Sequence, residues 1–325
     1  MTESVTPVVS VCIITYNHEK YIRQTLDGVL AQVTDFPIEV VIGEDRSTDA
    51  TGQIVLELQD EHASVIRVLQ STTNLGMNKN LIRTLEQCRG RYIALLEGDD
   101  VWTSLRKLQE QVNFLENNPD CTICFHKAEV YIEEKDQIRG VWPEDDPQTI
   151  TTIEDLIKYN YIPTCTVMYR NVPMERMPEQ YYKLGSGDWS LHMRYAQKGK
   201  IGFINKVMAR YRIHASGVFS RLSMREKFEV VVGAREFIFS QVSKELKKVL
   251  GPIIVEYCYQ IAQMSLAETQ PAKARRYLSK GISYLPYFKY YAGRYLFLGL
   301  YMRVFFPRLA SFISNLRHGS TTRKV

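Results

Sequence analysis

Residues 97–100, Glu-Gly-Asp-Asp, put three carboxylates within four positions. They follow Tyr-Ile-Ala-Leu-Leu at 92–96, an apolar run the length of a buried strand. Carboxylates crowded that closely repel one another, and a hard divalent cation with oxygen ligands relieves the repulsion. A solvated acidic turn has the same composition. Position favours the ligand reading, because open α/β sheets bind ligands outside the carboxyl ends of their strands. A second acidic turn, Gly-Glu-Asp-Arg-Ser-Thr-Asp at 43–49, follows the apolar run 38–42. A third, Gly-Ser-Gly-Asp-Trp at 185–189, presents Asp188 at a helix start, where it could also be a plain N-cap. Arg210, Arg212 and His214 come in close order further on. Arginine grips phosphate as a fork and neutral histidine can ligate a metal, although a lone histidine is more often structural.

These side chains need elements to hold them. Residues 8–15 are a continuous Val- and Ile-rich run, typical of a strand buried on both faces. Asn17 can cap the helix that carries Ile22, Leu26, Val29, Leu30 and Val33. Strands at 38–42, 65–69 and 92–96 alternate with helical patterns, the last of them over 81–88. This βαβαβαβ order predicts a mostly parallel, Rossmann-like α/β sheet with helices on both faces. The ends of strands one, two and four then meet, so that Tyr16-Asn17, Glu44-Asp45 and Glu97-Asp99-Asp100 line one crevice. No Gly-x-Gly-x-x-Gly or Walker lysine loop follows the first strand, which argues against dinucleotide and P-loop sites. Further on, the patterns predict a helix over 105–115, paired strands at 121–125 and 128–132, and a loop at 140–149. They continue with a helix at 153–159 and strands at 165–169, 201–204 and 207–211. Beyond 222 the strand signal ends, and 224–249, 252–268 and 271–283 read as helices. The expected organisation is a catalytic domain over 1–220 and a helical, basic, aromatic region over 221–325.

The chain has 325 residues, 45% apolar and 24% charged, ordinary globular composition. Its charge is unevenly spread. Eleven of the 41 Lys and Arg lie in 271–325, which has no Asp or Glu, so 1–270 hold the other 30 against all 36 acids. The six cysteines are scattered through apolar contexts, and the lone Cys-x-x-Cys at 121–124 has no second pair to make a zinc site. Core thiols suit a reducing cytosol. The first residues carry no basic n-region or long apolar stretch, so no signal peptide and a cytoplasmic location are expected.

In this order the motifs resemble the family-2 inverting glycosyltransferases of GT-A fold, nearest to those of bacterial surface polysaccharides. The pieces are Val-Ser-Val-Cys-Ile-Ile-Thr-Tyr-Asn at 9–17, Glu-Asp-Arg-Ser-Thr-Asp at 44–49 and Asn-Leu-Gly at 74–76. Glu-Gly-Asp-Asp-Val-Trp at 97–102, Lys107-Leu108 with Gln111, Gly187-Asp188-Trp189 and Tyr-Arg-Ile-His at 211–214 complete them. The resemblance covers about 7–220. It implies transfer of a hexosyl or N-acetylhexosaminyl group from a nucleoside diphosphate-sugar, UDP-linked by preference, to a glycan or lipid-linked acceptor. It implies a Mn²⁺ or Mg²⁺ ion on the diphosphate, held by Asp99 with Asp100 beside it and His214 as a further ligand. Ile14, Thr15, Tyr16, Asn17 and Asp45 would take the nucleoside, and Glu97, Gly98 and Asp99 the ribose and diphosphate. Arg212 would close on the phosphates, and Asp188 would be the catalytic base. Where the family usually has Asp-x-Asp this chain has Glu97-x-Asp99, one methylene longer at its first arm.

Two other classes of function use the same residues. A non-catalytic nucleotide-sugar or glycan-binding relative would bind donor without turnover. A nucleotidyltransferase would want a glycine- and base-rich loop after strand one, which Tyr16-Asn17-His18-Glu19 is not. The stretch 281–316 holds eleven Tyr and Phe interrupted by Lys289, Arg294, Arg303 and Arg308, with no charge-free run long enough to span a bilayer. It reads as a peripheral contact with an anionic membrane, or as a helical layer packed on the catalytic body or on a second subunit in a homodimer. Nothing resembles a nucleic-acid-binding module.

Overall fold

The computed structural model describes residues 6–310. The chain divides into two compact units, Met1–Arg221 and Leu222–Val325.

The first unit is built on one ten-stranded sheet. Its leading half is β1 (Val9–Thr15), α1 (Ile22–Leu30), β2 (Ile38–Glu44), α2 (Thr51–Glu61), β3 (Ile66–Gln70), α3 (Met77–Leu85) and β4 (Tyr92–Glu97). All seven residues of β1 are buried, because strands flank it and packed layers cover both its faces. The short β5 (Val101–Trp102) leads into α4 (Lys107–Asn117), β6 (Cys121–Ile132) and β7 (Gln137–Trp142). Then come β8 (Ile150–Thr151), α5 (Ile153–Leu156), β9 (Met168–Arg170), α6 (Asp188–Ala196) and β10 (Lys200–Ile213). The strand order is β3-β2-β1-β4-β9-β6-β10-β5, with β7 on β6 and β8 on β10. Strands β3 to β4 run parallel, β9 is antiparallel between β4 and β6, and β6 pairs β10 in parallel. The α/β, largely parallel sheet expected from the sequence is present.

Several boundaries differ from the expectation. Residues 121–125 and 128–132 are not a pair but one strand, β6, and 201–204 and 207–211 are both parts of β10. Polar residues that look like turns are register shifts inside β10, between Ile204 and Val207 and between Val207 and Ala209. Part of the expected 140–149 loop belongs to β7. The expected helix over 153–159 is only the single turn of α5, and residues 164–166 form a 3₁₀ turn ahead of β9. Asn17 does not cap α1, whose N-cap is Tyr21. Asn17 instead sits at φ 58°, a left-handed conformation that asparagine tolerates, and its carbonyl accepts from the Thr48 amide at 2.8 Å.

The second unit is helical: α7 (Met224–Gln241), α8 (Lys244–Ala267), α9 (Pro271–Ile282) and α10 (Arg294–Phe305), with a 3₁₀ turn over 285–290 before α10. Ser223 opens α7 with a capping box closed by Glu226, and Ser243 caps α8. The expected helix end at 249–252 is absent, since Pro252 lies within α8 and the break falls at Val242 and Ser243.

A lysine is buried in the first unit at the start of α4. Lys107 is fully buried, its Nζ has no hydrogen-bond partner, and it stands 3.8 Å over the Trp102 ring. Burial pulls its pKa from 10.5 to about 7, a difference on the order of 5 kcal/mol. A desolvated cation–π contact returns about 2 kcal/mol, so burial wins. The folded protein thus releases this proton near pH 7, whereas the unfolded chain keeps it to about 10.5. Across that window the unfolded state binds more protons, and stability rises with pH. Lys107→Met, close in volume and without charge, is expected to raise the urea midpoint near pH 7 and to lose that advantage near pH 10. An advantage over wild type that stays constant across that range would contradict the buried-lysine account.

Candidate functional site

The sheet register brings the acidic turns together. Ile14 pairs with Gly43 on one side and Glu97 on the other, and Thr15 with Glu44. Tyr16, Asp45 and Gly98 therefore leave the sheet at one edge. The β5–β10 pairing, Val101 with Arg210 and Trp102 with Ala209, carries residues 212–214 over the same turn.

At the centre is Asp99. Its Oδ2 lies 2.9 Å from His214 Nε2 and 3.6 Å from His18 Nε2. His214 Nδ1 is 2.8 Å from the Ser216 hydroxyl, and its ring lies tilted on Tyr21 at 4.8 Å. His18 is held below its usual pKa by burial first and then by His214, with Asp99 opposing. The sequence reading missed His18 as a site residue, since beside Asn17 it looks like part of a helix start. Gly98 explains how close these loops come. A Cβ there would meet Thr15 Oγ1 at 2.6 Å and His18 Nδ1 at 2.8 Å.

Asp100 and Arg212 are placed differently from expectation. Asp99 lies in the turn after β4, and Asp100 leads from it into β5. The Asp100 carboxylate is buried, its Oδ1 accepts from the Arg212 amide at 2.8 Å, its Oδ2 has no hydrogen-bond partner among the described residues, and the Cys165 thiol is nearby. Burial, and then Asp99, hold its pKa well above the carboxylate range. Asp100 thus braces the turn through the Arg212 amide. Arg212 lies in β10, not in a flexible segment, and is buried. Its guanidinium donates to the Asp99 carbonyl at 2.9 Å and to Gln24 Oε1, lies 3.6 Å from Glu133 and stands 5.2 Å over the Tyr21 ring. Those contacts fix the turn.

Asp45 is 2% exposed and accepts from the Leu75 amide at 2.8 Å and the Gly76 amide at 2.9 Å. It joins β2 to the Asn74-Leu75-Gly76 turn, and each oxygen keeps a lone pair for another donor. Glu44 accepts from the Arg46 and Ser47 amides. Tyr16, by contrast, is 40% exposed at this edge, beside buried Ile14 and Thr15.

Asp188 is the first residue of α6 rather than its cap, which is Gly187. Its carboxylate accepts from Asn160 Nδ2 at 3.0 Å and from the Ser186 hydroxyl. A Cβ on Gly187 would meet Asn78 Oδ1 at 2.4 Å, and Asn78 in turn donates to the Leu184 carbonyl at 2.8 Å. Trp189 is buried and donates to the Leu156 carbonyl at 3.0 Å, so it anchors the helix. Glu97 ties the halves together. It accepts no side-chain hydrogen bond among the described residues, and its pKa is pushed well above the carboxylate range by burial, then Asp99, Asp100 and Asp188.

Acids whose charged forms are disfavoured by burial and by one another fit a cation, which would offset both costs. The donor set, an Asp99 oxygen with the His214 imidazole, suits a divalent ion whose remaining ligands are phosphates and water. Among the described residues no group of three or more His, Cys, Asp or Glu side chains is placed to hold a metal unaided.

The family model for glycosyl transferase family 2 matches residues 10–176, just over half of the chain. The chain belongs to that family. It is 39% identical over 223 residues to the uncharacterized protein Rv1520 of Mycobacterium tuberculosis, a match over 67% of this chain and 63% of the relative. It is 29% identical over 212 residues to the Escherichia coli UDP-Glc:alpha-D-GlcNAc-diphosphoundecaprenol beta-1,3-glucosyltransferase WfaP, over 65% of this chain and 79% of that one. The S. aureus TarS fragment solved with UDP-GlcNAc superposes with a TM-score of 0.65 at 18% identity, over 96% of this chain and 92% of that one, and shares the fold.

The family site stands or falls on the close approach at Gly98. Gly98→Ala is expected to displace His18 from Asp99 and to destabilise the protein by about 1–3 kcal/mol. Gly140→Ala, which meets nothing within 4 Å, is the neutral control. Equal melting temperatures for the two variants would refute the crowding argument.

Proposed function

We propose that the chain is a metal-dependent, inverting glycosyltransferase that moves a sugar from a UDP-sugar to a glycan or lipid-linked acceptor in bacterial surface-polysaccharide assembly. The observation that carries this reading is the convergence of Asp99, His214, Glu97 and Asp188 at one edge of a family-2 sheet. The UDP-sugar in the name of WfaP and the UDP-GlcNAc complex of TarS support the donor class. The diphosphoundecaprenol in the WfaP name supports a lipid-linked acceptor.

Each residue has a physical task in this reading. The exposed Tyr16 ring offers a face to a planar base, a stacking worth about 1–3 kcal/mol. Asp45 and the turn it holds form the wall beside it. Asp99 and His214 would hold Mn²⁺ or Mg²⁺, and the bound ion would offset the charge that builds on the departing diphosphate. Glu97 lies between this group and Asp188, where it can accept a hydroxyl of the donor. Asp188, steadied by Asn160 and Ser186, takes the proton of the attacking acceptor hydroxyl. Asp100, Arg212 and Gly98 keep the turn in place.

The test is turnover of UDP-sugars with Mn²⁺, with donor binding followed separately by thermal shift. Asp188→Asn is expected to lower kcat by about 10²–10⁴ while the donor still raises the melting temperature. Asp99→Asn is expected to weaken metal-dependent donor binding, and chelation of the metal to abolish turnover. Donor binding without turnover in wild type, unchanged by Asp188→Asn, would replace this reading with that of a non-catalytic nucleotide-sugar-binding relative.

A further inference from the structure

Helix α10 is apolar on two sides. Its inner side buries Phe297 and Leu300, and the Phe297 ring packs on Phe288 at 5.3 Å and against Gly281 of α9. Its outer side exposes Tyr295, Leu296 and Leu298, and Phe306 at its C-cap and Leu309 just beyond it are also exposed. Tyr295 is 73% exposed, Leu296 64% and Phe306 50%. Leu285 and Tyr290, just before the helix, are exposed as well. A helix apolar all round is ordinarily covered on every side. No helix among the described residues is long and apolar enough to cross a membrane, so spanning does not account for this one.

Charge decides between the possible covers. Lys289, Arg294, Arg303 and Arg308 are interleaved with these apolar residues, and 271–325 hold eleven basic residues and no acid. Lys289 stands 4.9 Å over the Tyr290 ring and Arg294 4.8 Å over the Tyr295 ring, so each of these exposed rings has a cation beside it. Two copies meeting through it would bring like charges together. An anionic bilayer takes both components, the rings and leucines at the acyl–headgroup boundary and the cations at the lipid phosphates. Long basic side chains lie along such a boundary with their charged ends in water.

We propose that α10 and the preceding 285–290 turn form an interfacial element that lies on an anionic membrane surface. This inference is independent of the sugar chemistry proposed above.

Vesicle flotation of the full chain tests it. Vesicles with roughly one-third anionic lipid are expected to bind the protein well above neutral ones, and added salt to weaken the binding. Tyr295→Glu with Phe306→Glu, both at exposed positions, is expected to cut partitioning at least about tenfold at an unchanged melting temperature. Arg303→Gln with Arg308→Gln is expected to remove the preference for anionic over neutral vesicles. Equal binding by wild type and the Glu variant would overturn the proposal, as would absence of binding to anionic vesicles. It would also be overturned if the Glu variant kept its vesicle binding but changed from dimer to monomer in sedimentation. Donor turnover is measured separately, so a chain that binds vesicles but lacks transferase activity would sink only the functional reading.

Discussion

The clamp between the end of β4 and the end of β10 is the constraint on which the site depends. The Asp100 carboxylate accepts from the Arg212 amide, the Arg212 guanidinium donates to the Asp99 carbonyl, and His214 closes on the Asp99 carboxylate. More than a hundred residues separate the two segments, so only the completed sheet brings them together. The clamp also sets the charge balance. Three carboxylates in four residues would drive the turn into solvent, yet it is folded inward with a guanidinium and two imidazoles around it. Burial and the neighbouring acids push the pKa of Glu97 and Asp100 upward, so the turn disfavours their charged forms until a cation offsets them.

The parts of this arrangement that were legible in the sequence share a physical reason. Strands buried on both faces must be continuous apolar runs, so β1, β2 and β4 announce themselves. Parallel topology then forces their carboxyl ends to one edge, which located Tyr16, Asp45 and residues 97–100 without any side-chain geometry. Asp188 was legible as a carboxylate at a helix start. Motif order supplied the family, and each motif alone would have been weak.

What was not legible is direction. Asp99 and Asp100 are chemically alike neighbours, but Asp99 meets His214 and His18 whereas Asp100 is buried against the Arg212 amide. Nothing in spacing alone distinguishes them. Arg212 shows the same ambiguity, because an arginine near an acidic turn can be a phosphate fork or an internal strut, and only its partners decide. Polar interruptions in β6 and β10 imitate turns, since a bulge within a long strand tolerates Asn205 and Lys206 without breaking the ladder. Pro252 misled in the opposite way, for a proline that normally ends a helix is carried within α8.

The carboxylates at the site are also set apart by their surroundings. Asp188 accepts from Asn160 and Ser186, whereas Glu97 has burial, three acidic neighbours and, among the described residues, no side-chain donor. Paired acids in unlike environments are how one site separates proton-handling from charge-holding roles. The two glycines next to these acids serve the same end. A side chain at Gly98 would strike Thr15 and His18, and one at Gly187 would strike Asn78. In both places the missing Cβ lets one loop rest against the polar atoms of another. The turn that carries Glu97 is positioned by Gly98, Asp100 and the Arg212 side chain reaching across from β10, so its place does not depend on the length of the Glu97 arm.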